Sequence, residues 1–260
     1  MSSQTIRLGV SSCLLGEAVR YDGGHKYEGF VNEVLGRFFE WVPVCPEVEI
    51  GLGTPREKIH LVRVLSEARL LKQDTRVDIT GRMTDFSGRR GRELEDVGIH
   101  GYVFKSESPS CGPSAVPIHD PAGRVVDRGP GLFAKGLIER SPRLPVASEV
   151  DLGGIPTRMH FVERVYAHYR WHEFVKTSPE LEDLAAFHGR HEEVLHGHHA
   201  DRCDRLRQSL DGAHLSEDLT GYGEEFLGIL ALTATREHLE GALGELLGAD
   251  RELLALLRTA

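Results

Sequence analysis

The sequence predicts an α/β domain built on a parallel-rich sheet, followed by a smaller all-α domain, and three observations carry this. Short β-type runs alternate with helical stretches as far as Leu152, the pattern of parallel strands joined by helical crossovers. A Gly153-Gly154 and Pro156 step then breaks the pattern, and beyond it the spacing is helical throughout. At 260 residues, 40% hydrophobic and 27% charged, the chain has ordinary globular composition and enough length for two cores. The expected domains are 1–153 and 157–260.

In chain order, Ile6–Ser11 reads as a buried first strand and Lys26–Phe39 as a helix through Phe30, Val34, Leu35 and Phe38. Trp41–Val44 is a short second strand, and Ile59–Val64 alternates in strand fashion. Asp85–Val97 is charged enough for a surface helix, Tyr102–Lys105 is a strand, Gly131–Arg140 a helix and Leu144–Ala147 a returning strand. In the second half, Met159–Lys176 is an aromatic amphipathic helix. Ser178-Pro179 reads as an N-cap followed by a first helical residue. Leu181–Leu210 is a long helical stretch interrupted near Gly197, and Glu224–Leu247 and Asp250–Leu257 are helical again.

Charge is distributed unevenly: residues 1–156 carry a net −1 and residues 157–260 a net −8, within a total of −9. An acidic second half is a poor electrostatic match for nucleic acid and gives no reason to expect DNA binding. The N-terminus lacks the charged and apolar regions of a signal peptide, and no apolar run reaches membrane-spanning length. The expected compartment is the cytoplasm, where thiols stay reduced, so the four cysteines are core residues, ligands or nucleophiles.

Three of them end short apolar runs and are followed at once by turn residues: V-S-S-Cys13-L-L-G, W-V-P-V-Cys45-P-E and S-P-S-Cys111-G-P. Strand ends are where open α/β sheets build their sites. The gaps of 32 and 66 residues contain no C-x-x-C knuckle, which argues against a zinc ribbon. Dispersed thiolates meeting in space suit an iron–sulfur cluster. A three-thiolate site would leave one iron open as a Lewis acid. Cys203 lies on a polar helical stretch without a turn beside it and reads as a small buried hydrophobe.

The segments Ser11–Gly24 (SSCLLGEAVRYDGG), Pro43–Arg56 (PVCPEVEIGLGTPR) and Lys105–Pro113 (KSESPSCGP) resemble, in order, the three signatures of the thiouracil desulfurase family. The resemblance covers about the first 150 residues. It implies a Rossmann-like α/β domain holding a 4Fe–4S cluster on Cys13, Cys45 and Cys111, with one iron not bound by protein. It implies a non-redox reaction in which a thiolated uracil loses its sulfur as sulfide. Glu47, of the C-P-E motif, is the candidate proton-transfer group, with a salt bridge or a helix N-terminus as its structural alternative. Ser108 is the candidate for orienting substrate or water, a local cap being its alternative. Tyr21 and Asp22 of the Y-D-G turn, Arg56 after the Gly-rich turn, and Ser110 are weaker substrate-binding candidates. Arg82, Arg89, Arg90 and Arg92, interleaved with Gly88 and Gly91, form the one dense basic patch and fit phosphate contact or a solvated face.

In the helical half, FVERVYAHYR and AFHGRHEEVLHGHHADRCDRL resemble a helical domain often attached to this desulfurase. In that fused form the chain is similar to bacterial desulfidases acting on 4-thiouridine in tRNA. It carries Glu192 and His199-Ala200-Asp201 where such domains usually have lysines, and Cys203 where Tyr is usual. His188 and His191, three apart, followed by His196, His198 and His199, form no H-E-x-x-H and read as packing or surface histidines. The expected partner is therefore a thiolated uracil, carried by tRNA first. Rivals are free thiouracil or a thiolated nucleotide, an iron–sulfur redox or regulatory module, and a binding scaffold with structural cysteines.

Overall fold

The computed structural model describes residues 6–212, 215–247 and 251–258. The chain divides into two compact units, Met1–Leu152 and Gly153–Ala260.

In the first unit, β1 (Ile6–Ser11) runs into a 3-10 turn at Ser12–Leu15, and β2 (Phe39–Val44) into α1 (Pro46–Glu49). Next come β3 (Ile59–Val64), β4 (Glu67–Lys72), α2 (Thr80–Val97) and β5 (Ile99–Phe104). They are followed by β6 (Val116–His119), β7 (Val125–Gly129), α3 (Leu132–Arg140) and β8 (Val146–Ser148). Two four-stranded sheets result. The first has the order β2-β1-β5-β8, all parallel, and the second the order β4-β3-β6-β7, with only β3 and β6 parallel.

The order of the first sheet sets the position of the site. After β1 the chain places β2 on one side, then returns to place β5 on the other, which makes the end of β1 a topological switch point. Ser11 pairs with Val44, and the Ser11 hydroxyl accepts the Lys105 N–H at 2.9 Å, so the three strands end level. Every residue of β5 is buried, as befits a central parallel strand. Tyr102 and Phe104 stack at 4.1 Å, and Phe133 of α3 meets both edge-on in the core.

Several elements differ from the sequence reading. The helix expected over Lys26–Phe39 is a π turn at Phe30–Val34 and a 3-10 turn at Leu35–Arg37, with Phe39 already in β2. Side-chain hydrogen bonds compete with regular helix here: Asn32 Nδ2 donates to the carbonyls of Leu14 and Glu28, and the Glu28 carboxylate takes the Val31 N–H. The second sheet adds β4, half-buried without regular alternation, β7, which is largely exposed, and β6, which alternates over only four residues. The arginine patch lies along α2. There Arg90 pairs with Glu93 and Glu49, and Arg82 donates to the Ile50 carbonyl.

The second unit consists of α4 (Ile155–Lys176), α5 (Leu181–Gln208), α6 (Leu215–Leu230), α7 (Arg236–Leu247) and α8 (Arg251–Leu257). Trp171, Phe187, Tyr222 and Phe226 lead its core, with Cys203 fully buried among them. Ser178 is not the N-cap of α5; it has φ +52°, and Glu180 caps the helix through a capping box with Asp183. α5 kinks at His199 rather than at Gly197, and the stretch expected to be one helix from Glu224 to Leu247 breaks between α6 and α7. Asp250 lies outside the described residues. No helix among the described residues is long and apolar enough to cross a membrane.

Candidate active site

The ends of β1, β2 and β5 deliver Cys13, Cys45 and Cys111 to one cleft of about 540 Å³, a size in the range of small-ligand sites. Each thiol is held by its own turn. The Cys13 carbonyl accepts the N–H groups of Gly16 and Lys26, closing the loop after β1. The Cys45 N–H donates to Glu49 Oε1 at 3.0 Å, and Pro46 opens α1 where a missing N–H costs nothing. The Ser108 hydroxyl accepts the N–H groups of Ser110 and Cys111 at 3.3 and 3.1 Å. That loop seats directly on the start of α3, whose Phe133 and Ala134 N–H groups bond the Ser110 carbonyl. A Cβ on Gly131 would lie 2.6 Å from the Ser110 carbonyl carbon, and one on Gly112 only 2.4 Å from Val116. Only glycine permits this approach.

Glu47 faces the cleft with both carboxylate oxygens engaged. Oε1 accepts the Ser110 hydroxyl at 2.9 Å, while Arg56 donates to Oε2 through Nε at 2.8 Å and Nη2 at 2.7 Å. Arg56 is itself nearly buried and fixed through Nη1 on the Gly53 carbonyl. The Arg56 N–H bonds the Tyr21 carbonyl, and Lys58 Nζ lies 4.9 Å from the centre of the Tyr21 ring. On the β5 side, Lys105 and Ser106 clasp Glu149. Burial opposes ionisation of that carboxyl, but these hydrogen bonds hold it below its usual range.

Burial pushes the Cys13 thiol up to about 11, with neighbouring Cys45 adding to the rise. Burial likewise raises Cys45, and raises Cys111 well above the ordinary thiol range, with Glu47 and Cys13 reinforcing it. Three soft donors thus crowd one cleft, where neighbouring thiols make ionisation of Cys13 and Cys111 costlier. A bound multivalent cation reverses that balance, since it favours the thiolate forms that ligate it. The donor set therefore fits a thiolate-bound iron–sulfur centre better than it fits three independent thiols.

Of the residues singled out from sequence, Cys13, Cys45, Cys111, Glu47, Ser108, Arg56 and Tyr21 line this cleft. Ser110 is wholly buried behind Glu47 and reaches the cleft only through that carboxylate. Asp22 is outside the lining; its carboxylate caps the Gly24 N–H, which holds it below its ordinary range. Sequence reasoning missed the wall built by the second sheet, where His60 on β3 and His119 on β6 lie 5.8 Å apart. It also missed Lys105, present in the K-S-E-S motif but given no role. In the helical unit, His188 and His191 sit in the aromatic core on Tyr222 and the Phe187 carbonyl, and Cys203 donates to the Glu192 carbonyl.

An α/β domain with three thiols, a clamped carboxylate and several cations at the ends of adjacent parallel strands has the make-up of a soft-metal enzyme. The 2-thiouracil desulfurase family model matches residues 8–149, more than half of the chain, and the chain belongs to that family. It is accordingly an enzyme that removes sulfur from thiouracil, rather than a scaffold or a regulatory module. The chain has no significant match among curated proteins. Among solved structures, a 4Fe–4S-dependent thiouracil desulfidase, TudS, is similar at 28% identity, over 57% of this chain and 94% of that one, with a TM-score of 0.46.

Proposed function

We propose that Cys13, Cys45 and Cys111 hold a 4Fe–4S cluster in the cleft, leaving one iron without a protein ligand, and that the preferred substrate is 4-thiouridine in tRNA. The observation that carries the proposal is the gathering of three thiols at three neighbouring strand ends. When bound, such a cluster supplies a soft Lewis acid for the thiocarbonyl sulfur. The net change is C=S plus water to C=O plus hydrogen sulfide, so no electron is gained or lost.

Glu47 takes the proton from the attacking water and returns it toward the departing sulfur. Arg56 and Ser110 act as positioning residues, each holding one oxygen of that carboxylate. Ser108 positions Cys111 through its two backbone hydrogen bonds. Tyr21 offers a ring face to the base, and Arg20, Lys26 and Lys58 line the same cleft with positive charge. Those cations favour a substrate bearing phosphate over a neutral free base. Asp22 holds the Tyr21 turn in shape.

A second reading, in which the substrate is a free thiouracil or thiolated nucleotide, draws support from the net −8 of residues 157–260. The deciding experiment is anaerobic purification with iron and sulfide analysis, followed by incubation with 4-thiouridine-containing tRNA. Four irons per chain and loss of the thiouridine near-ultraviolet absorbance are expected, both abolished in Cys111→Ala. Colourless, iron-free protein after reconstitution would sink the cluster assignment. Turnover of free 4-thiouracil or its nucleotide with tRNA untouched would remove the RNA half alone.

A further inference from the structure

The helical unit contains a three-donor cluster that the desulfurase chemistry does not use. His160 and Glu163 are three apart on α4 and so share a helix face, and His198 reaches them from α5 just before its kink. One nitrogen from each ring and one carboxylate oxygen all lie within 4.8 Å of one another. The side chains of Glu163 and His198 have no solvent exposure at all.

The hydrogen bonds fix how these rings face. His160 Nε2 contacts the Leu230 carbonyl at 2.8 Å, and His198 Nδ1 contacts the Leu232 carbonyl at 2.7 Å. A carbonyl only accepts, so both of these nitrogens carry hydrogen, and in the neutral ring the opposite nitrogen is the one with a lone pair. His198 Nε2 faces Glu163 Oε2 at 2.9 Å, a contact that is filled either by a proton or by a metal ion. The second carboxylate oxygen, Oε1, is buried with no hydrogen-bond partner among the described residues. A metal ion in place of a shared proton would satisfy this contact and the orphaned carboxylate oxygen together.

We propose that His160, Glu163 and His198 bind a single zinc-class divalent cation that ties α4 to α5 and to the loop between α6 and α7. The donor set of two imidazoles and one carboxylate suits zinc, with a water completing four-coordination. The Leu230 and Leu232 carbonyls supply the outer hydrogen bonds that orient metal-binding histidines. A tetrahedral zinc with bonds of about 2.0–2.1 Å spaces its donors about 3.4 Å apart, so the longest edge closes by at most about 1.4 Å. His160 is the half-exposed ligand and marks the side from which the ion enters.

The test uses the full chain with Cys13, Cys45 and Cys111 all changed to Ser, so that no cleft thiol competes for zinc. Chelator-stripped protein is titrated with zinc against a chromophoric chelator and, in parallel, with cobalt(II), read by its visible d–d absorption. One equivalent of zinc is expected, with a cobalt spectrum free of sulfur-to-metal charge transfer. Glu163→Gln retains a hydrogen bond toward His198 and so keeps the fold. It should weaken binding by about a hundredfold or more, beyond the roughly 10–100-fold loss typical of outer-shell changes. His160→Ala should do the same, and exposed His196→Ala should change nothing. Natively folded protein that binds no zinc, or Glu163→Gln that binds as well as the parent, would overturn the proposal and leave His198 and Glu163 sharing a proton.

Discussion

Glu47 is the residue on which structure and chemistry bear most directly. Its carboxylate is nearly buried and clamped by Arg56 and Ser110, so the salt bridge read as its structural alternative is present at the cleft wall itself. Glu47→Gln keeps shape and the Ser110 contact while removing the proton-transfer group. Turnover should fall about 10²–10⁴-fold with iron content unchanged, measured by steady-state rate beside iron analysis. Arg56→Met leaves the buried carboxylate unpaired and should cost about 3–5 kcal/mol in urea unfolding. The cysteines were legible as a set because each follows a strand and precedes a turn. The Arg56–Glu47–Ser110 chain was not, since its members lie 9 and 63 residues apart and only the fold makes them neighbours.

Among elements, the loop from Ser108 to Gly112 and the start of α3 form one unit. Gly131 admits the Ser110 carbonyl where any side chain would collide with it. Gly131→Ala should therefore displace the Cys111 loop, costing about 1–3 kcal/mol as overpacking does and lowering iron retention after anaerobic purification. Strands β1 and β5 were readable as short apolar runs because parallel central strands are buried on both faces, and edge strand β2 through its apolar W-V-P-V end. Strands β4 and β7 were not, since β4 is only half-buried, β7 is largely exposed and both alternate poorly, and β6 alternates over only four residues. The expected helix before β2 failed for a different reason, because Asn32 and Glu28 draw the backbone out of regular geometry.

For the molecule as a whole, charge and pH behaviour separate the two units. In the helical unit, burial lowers His191 from 6.5 to about 4, with the Phe187 ring tilted against it at 4.3 Å and Phe226 edge-on at 5.4 Å. The folded state thus resists protonation where the unfolded chain accepts it. Stability is full above about pH 6.5 and is lost as pH falls toward 4, by roughly 3 kcal/mol. Urea unfolding from pH 7 to 4 should show this slope, and His191→Phe should flatten it. In the desulfurase unit, cleft cations meeting substrate phosphate predict that turnover of thiolated tRNA falls steeply with added salt, while free thiouracil turnover does not. Parallel salt series on the two substrates check this.

The sequence by itself determined the α/β class followed by helices, the three strand-end cysteines, and the family signatures that name the chemistry. Each of these is written in local order, as periodicity, turn residues or motif spacing. Tertiary structure alone decided that the thiols share one cleft, that Arg56 and Ser110 serve Glu47, and that the second sheet supplies the far wall. It alone also brought His160, Glu163 and His198 together, three donors whose outer two are 38 positions apart. Such contacts depend on strand order and helix packing, which set distances in space that spacing along the chain does not encode.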